Sequence, residues 1–116
     1  MEESLKIDVK RHGDCETALF RGTIDAHAEA RFDDLFDTLS TCSLTMDFSQ
    51  TGRINSMGIA LLLRSIKRIK NDKKAEVSVC GLNQINAMLF KMTGIFMLAP
   101  EIKPARASQS GAASVR

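Results

Sequence analysis

Tryptophan and tyrosine are absent from this chain, and six phenylalanines are its only aromatic residues. With no aromatics interleaved among basic residues and a formal net charge of only +2, neither nucleic acid nor an anionic membrane surface is implied as a partner. No apolar run approaches the ~20 residues that a membrane span needs. The start, Met1-Glu-Glu-Ser, lacks a basic stretch followed by an apolar core, so no export signal is read and the cytoplasm is the expected compartment. Cysteine is scarce. Cys15, Cys42 and Cys80 are odd in number, far apart and without a C-x-x-C pair, which fits reduced thiols. His12 and Cys15 have a metal-like spacing, but no second pair accompanies them, so they read as flanking a turn and no metal is expected. His27 has no Cys or Asp partner at a catalytic spacing and reads as a solvent-facing residue near a helix start.

What is present is ordinary for one globular domain: 116 residues, 44% hydrophobic and 26% charged. The most informative stretch is Leu-Thr-Met-Asp-Phe-Ser-Gln-Thr-Gly-Arg-Ile-Asn-Ser-Met-Gly, positions 44–58. Leu44, Met46 and Phe48 alternate with Thr45, Asp47 and Ser49, the period of a half-buried strand. Residues 50–55 supply turn chemistry, with Gly52 free to take a positive φ. Ile59, Leu62, Leu63 and Ile66 then fall on one helical stripe. Asn55 or Ser56 is the expected N-cap of that helix, and a phosphate on Ser56 would meet unpaired N–H groups and the positive end of the dipole. From local sequence alone, a serine at such a place reads first as a plain cap.

The rest of the chain alternates strands and helices. Leu5, Ile7 and Val9 mark a first strand, His12-Gly13-Asp14 a turn, and residues 16–21 a returning hairpin strand. Asp25 is the expected N-cap of a first helix striped by Phe32, Leu35, Phe36 and Leu39, with Glu29, Asp33, Asp34 and Asp37 on its wet face. Ala75, Val77 and Val79 alternate along a fourth strand. Asn83 caps a third helix whose expected core stripe is Ile85, Met88, Leu89 and Met92, stopping at Gly94. Residues 95–98 form an apolar stub and 101–103 a candidate short edge strand. Because the strands alternate rather than running apolar, one sheet face carries the core and the helices lie mainly on that side of a mixed α/β sheet. Residues 1–103 make the domain, and 104–116, without periodicity, read as a flexible tail.

Enzyme constellations are thin, and no catalytic residue or cofactor is assigned. Asp33, Asp34 and Asp37 occupy a solvated helix face. Asp47 lies near the turn before Ser56, but no His is near in sequence to make that serine a nucleophile. Gly52 and Gly58 precede no Gly-Lys-Ser/Thr, so no phosphate-binding loop is read. The basic run Arg64, Lys67, Arg68, Lys70, Lys73, Lys74 reads as the outer face of the second helix. Most methionines fit core stripes. Met57, beside Ser56, is the exception and is placed to pack on a partner.

Gly22-Thr-Ile-Asp25, the strand Leu44-Thr-Met-Asp47-Phe-Ser49, and Ile54-Asn-Ser56-Met-Gly58 resemble the STAS domain, the fold of bacterial anti-sigma factor antagonists. The resemblance continues through Phe90-Lys-Met-Thr-Gly94-Ile-Phe96 and covers roughly residues 5–102. It implies a four- or five-stranded mixed sheet with helices packed on one face. It also implies partner switching. The antagonist binds an anti-sigma factor, usually a serine kinase of the histidine-kinase-like ATPase type, so that a sigma factor is released. Phosphorylation of a serine at the start of the second helix breaks the complex, and a serine phosphatase resets it. The matching serine is Ser56, and the contact surface around it would comprise Asp25, Ser49, Thr51, Asn55, Met57 and Gly58. The free protein is expected to be a monomer. Asn55 stands where the family usually carries Asp, which removes a carboxylate beside the acceptor hydroxyl but keeps an equally good cap. Lys73-Lys74 stands where Gly-Gly is common. The alternative is a STAS scaffold never modified at Ser56, or a soluble subunit of a larger assembly such as a lipid-transport complex.

Overall fold

The computed structural model describes residues 4–40 and 42–102. The tail expected over 104–116, and Lys103 of the candidate edge strand, lie outside the described residues. Strand β1 (Lys6–His12) turns back into β2 (Cys15–Ile24) through Gly13 and Asp14, and Gly13 takes the φ of +64° that a two-residue hairpin turn needs. His12 and Cys15 are register partners on either side of that turn. One turn of 3-10 helix and helix α1 (Glu29–Thr38) then carry the chain to β3 (Ser43–Ile54), which pairs parallel to β2. Helix α2 (Ser56–Asp72) makes the second crossover, to β4 (Glu76–Cys80), parallel to β3. Helices α3 (Gln84–Thr93) and α4 (Ile95–Leu98) complete the described chain. The result is a four-stranded mixed sheet in the order β1-β2-β3-β4.

Alternation sorts the two sheet faces as the sequence implied. Ala18 and Phe20 on β2, Leu44, Met46 and Phe48 on β3, and Val77 and Val79 on β4 are buried among α1 and α2 residues such as Phe32, Leu35, Leu62, Ile66 and Ile69. The other face is polar: Arg21 pairs with Asp8 at 3.2 Å, and Thr45 meets Ser78 at 3.3 Å. Five of the six phenylalanines form a continuous row through the core. Phe32 to Phe20, Phe20 to Phe48, Phe48 to Phe90 and Phe90 to Phe96 have centroid separations of 5.9, 4.8, 5.2 and 6.0 Å, a range in which tilted, stacked and edge-on pairs attract.

The structure corrects four expectations. The turn expected over 50–55 is strand: β3 runs on to Ile54, and two register irregularities against β2 absorb the extra residues while Gly52 stays out of the positive-φ region. The edge strand at 101–103 reduces to one bridge. Val79 N–H donates to Pro100 O at 3.0 Å and Ile102 N–H to Val79 O at 2.8 Å, which covers part of the β4 edge. The third helix is turned relative to its expected phase: Asn86 and Phe90 are buried, whereas Ile85, Met88 and Met92 are exposed. Of the five methionines among the described residues, only Met46 is in the core.

The basic run of α2 is also not a plain outer face. Arg64 reaches Glu29 at 2.8 Å and Arg68 reaches Asp33 at 3.0 Å, tying α2 to the acidic side of α1. The Arg68 guanidinium sits 3.9 Å from the Phe36 ring centroid, Lys73 donates to Leu39 O at 3.1 Å, and Lys70 donates to Leu98 O. These positions set a graded test. Leu62→Ala or Ile66→Ala, at fully buried sites, is expected to lower stability by about 2–5 kcal/mol. Arg68→Ala should lose about 1 kcal/mol from its ion pair and ring contact. The exposed Lys67→Ala should stay within ~0.5 kcal/mol. Urea unfolding of the four variants checks the order, and equal losses would mean that the α2 phase is wrong.

Candidate functional site

Asn55, extended at φ −96°, follows β3 and caps α2: its Oδ1 accepts from Gly58 N–H at 2.9 Å, and its carbonyl accepts from Ile59 N–H at 2.9 Å. The cap is therefore Asn55, of the two candidates. Ser56 is the first helical residue, exposed, and its hydroxyl takes no part in the cap. Beside it Met57 is 53% exposed. The first N–H groups of α2 carry the positive end of the helix dipole, and the first turn contains no acidic residue.

The position of this helix start is fixed from below. Asn55 N–H donates to Ile24 O at 3.1 Å, linking the end of β3 to the end of β2. Gly58 lies directly over the same peptide: a Cβ at this position would stand 2.2 Å from Ile24 O and 2.7 Å from Ile24 C. Only glycine allows that approach. Gly58 is thus buried, a support for Ser56 rather than part of its exposed surface. Thr51 is buried as well, with its hydroxyl donating to Phe20 O at 3.0 Å, across one of the β3 irregularities. Ser49 is exposed, its N–H held by Asp47 Oδ1 at 2.9 Å.

Asp25 caps the 3-10 turn between β2 and α1, accepting from His27 N–H at 2.9 Å, and α1 itself starts only at Glu29. His27 points outward, its side chain 94% exposed. Asp25 and Asp47 line separate hollows: Asp25 with Thr23 and Arg31, Asp47 on the open sheet face with Thr17 and Arg21. The two carboxylates are not brought together. No group of three potential metal ligands occurs among the described residues.

Sequence reasoning missed the neighbour of this site. Asn83 caps α3 by accepting from Asn86 N–H at 2.8 Å, and the Asn86 side chain donates to Gly52 O at 3.3 Å. Between β3 and α3 lies a groove of about 250 Å³ lined by Gly52, Arg53, Ile54, Ile85 and Leu89. Ile54, the last residue of β3, forms part of its wall. The only sequence signal for it was an apolar residue, Ile85, so early in α3, and that was read as core.

A one-sided α/β module that presents a serine at a buttressed helix start is the class defined by this geometry. The family model for the STAS domain matches residues 6–108, and the chain belongs to the STAS domain family. No curated protein matches the sequence. Among solved structures, an anti-sigma factor antagonist from Mycobacterium paratuberculosis superposes with a TM-score of 0.72 at 16% identity, over 92% of each chain. The Bacillus cell fate determinant SpoIIAA in its phosphorylated form gives 0.62 at 10% identity, over 92% of this chain and 96% of its own. A sulfate transporter family protein from Wolinella succinogenes gives 0.65 at 10% identity, over 76% and 73%. At these identities the likeness is one of fold. No helix among the described residues is long and apolar enough to cross a membrane.

Proposed function

We infer that this protein is a cytoplasmic partner-switching regulator of the anti-sigma factor antagonist kind, without catalytic activity of its own. It binds an anti-sigma factor with serine kinase activity, is released when that kinase phosphorylates Ser56, and is reset by a serine phosphatase. The observation that carries this reading is the exposed Ser56 hydroxyl at the first position of α2, left free of capping by Asn55. Ser49, Asn55 and Met57 form the exposed contact surface, while Thr51, Gly58 and Asp25 hold the strand and loop beneath it. That a protein of this fold, SpoIIAA, exists in a phosphorylated form supports the assignment.

The physics of release is local. Phosphorylation adds about −1.5 to −2 charges and three acceptor oxygens. Against a chain of net charge +2 the global change is mild, so the effect must come from a phosphate desolvated in a packed interface, which costs several kcal/mol unless paired. About 3 kcal/mol weakens a complex more than a hundredfold.

The test is calorimetric binding of the kinase partner, with phosphate incorporation followed over time. Ser56→Asp is expected to weaken binding at least about tenfold with the fold intact, since an acid at a helix N-terminus is stabilising. Ser56→Ala should bind but resist release in the presence of ATP. Asn55→Asp should speed incorporation by restoring a carboxylate beside the hydroxyl. Unchanged affinity for Ser56→Asp, together with no incorporation into the natural protein, leaves the second reading: a constitutive STAS scaffold or a subunit of a larger assembly. The fold likeness to the Wolinella sulfate transporter family protein favours that second reading.

A further inference from the structure

A hollow of about 480 Å³ opens where the end of β2 meets the start of α1. Thr23 and Asp25 line it from the β2 end and Arg31 from α1, while Leu5, Ala28 and Ala30 give it an apolar wall. The size and the few polar groups set among apolar ones are those of a small-molecule site. Ile24, between Thr23 and Asp25, is the residue whose carbonyl accepts from Asn55 N–H, so the hollow adjoins the support of the Ser56 helix start.

Thr23 is the residue that points to a ligand. It is only 8% exposed, yet its hydroxyl has no hydrogen-bond partner among the described residues, whereas the equally buried Thr51 donates to Phe20 O. A buried hydroxyl without a partner is rare because it is costly, and one that lines a hollow is completed by what enters it. The two charged groups beside it are only partly used. Asp25 Oδ1 accepts from His27 N–H at 2.9 Å and lies 3.6 Å from His27 Nδ1, and Oδ2 has no partner among the described residues. Arg31 Nε donates to Leu5 O at 3.2 Å, which fixes the guanidinium. Its Nη1 reaches Asp34 only at 4.0 Å, and its Nη2 has no partner among the described residues. One carboxylate oxygen, one hydroxyl and one side of a guanidinium fork are left over.

We propose that this hollow binds a small zwitterion of the free amino-acid class, with its ammonium on Asp25 and Thr23, its carboxylate on Arg31 and its side chain along Leu5, Ala28 and Ala30. The opposite charges select for that class. A ligand with only a carboxylate meets the Asp25 carboxylate as well as Arg31, and one with only an amine meets Arg31 as well as Asp25. A zwitterion satisfies both, through charge-assisted hydrogen bonds. The site uses neither Ser56 nor Met57, so it stands or falls independently of the switch.

Amide NMR of the full chain is followed during titration with three probes: L-leucine, leucinamide, which lacks the carboxylate, and isocaproate, which lacks the amine. L-Leucine is expected to shift Thr23, Asp25 and Arg31 with a Kd of about 1 mM, at least about tenfold tighter than either fragment. Thr23→Val keeps the shape and removes the hydroxyl. It should weaken leucine binding at least about tenfold while the thermal midpoint holds or rises, because no bond within the fold is lost. Arg31→Gln should bring leucine down to the level of leucinamide. No shift with leucine at roughly 10 mM overturns the proposal, whatever else occupies the hollow. So does equal binding of the three probes, or an unchanged leucine affinity in Thr23→Val. A fall of more than ~5 °C in the Thr23→Val midpoint overturns it as well, since the hydroxyl would then be partnered inside the fold.

Discussion

Gly58→Ala is expected to lower stability by about 2–3 kcal/mol, which for a domain of this size moves the thermal midpoint down by roughly 10–20 °C. The substitution looks favourable locally, because alanine is worth about 1 kcal/mol more than glycine inside a helix. The added methyl, however, would stand 2.2 Å from Ile24 O, 2.7 Å from Ile24 C and 3.0 Å from Ile24 Cγ2. Two of those atoms are backbone at the end of a central strand, and Ile24 O is already engaged by Asn55 N–H at 3.1 Å. Relief requires the start of α2 to move by about 1 Å to reach ordinary contact distance. That movement strains the Asn55 link and displaces Ser56, so partner affinity should fall together with stability. Differential scanning calorimetry decides it, and a midpoint within a few degrees of the natural protein would mean that helix and strand are not held this closely.

Phe90→Ala is expected to have a larger effect, about 3–5 kcal/mol, whereas Met92→Ala two residues along should change stability by less than ~0.5 kcal/mol. Phe90 is fully buried and sits between Phe48 and Phe96 in the aromatic row, at 5.2 and 6.0 Å. Its removal leaves a cavity in the layer between the sheet and α3, and the rigid rings on either side cannot collapse to fill it. Met92 touches no such layer. Chemical denaturation of the pair reads the phase of α3 directly. A large loss for Met92→Ala with a small one for Phe90→Ala would restore the stripe expected from periodicity and remove the exposed apolar surface with it.

The site was partly legible in advance because its ingredients are local. Asn55 is a strong capping residue followed by a clear apolar stripe, so the start of α2 could be placed within one residue. Ser56 was found for the same reason. Thr51 and Gly58 were expected on a contact surface and both are buried, because burial by a distant strand leaves no mark on neighbouring residues. Residues 50–55 read as a turn from their polar and glycine content. Pairing with β2, through Thr51 to Phe20 and through two register irregularities, draws them into a strand instead.

Local sequence by itself determined the order of strands and helices, the inward face of β3 and β4, and the capping of α2 and α3. Each of these rests on a period or a cap spanning a few residues, and such signals survive without knowledge of the rest of the chain. Tertiary structure alone decided which side of α3 faces the core, that Arg64 and Arg68 meet the acids of α1, and that Gly58 rests on Ile24. In α3 both sides are apolar, so periodicity offers two stripes and cannot rank them. The choice falls to long-range partners: Phe48 takes Phe90, and Gly52 O takes the Asn86 amide, a polar group that could be buried only where such an acceptor waited.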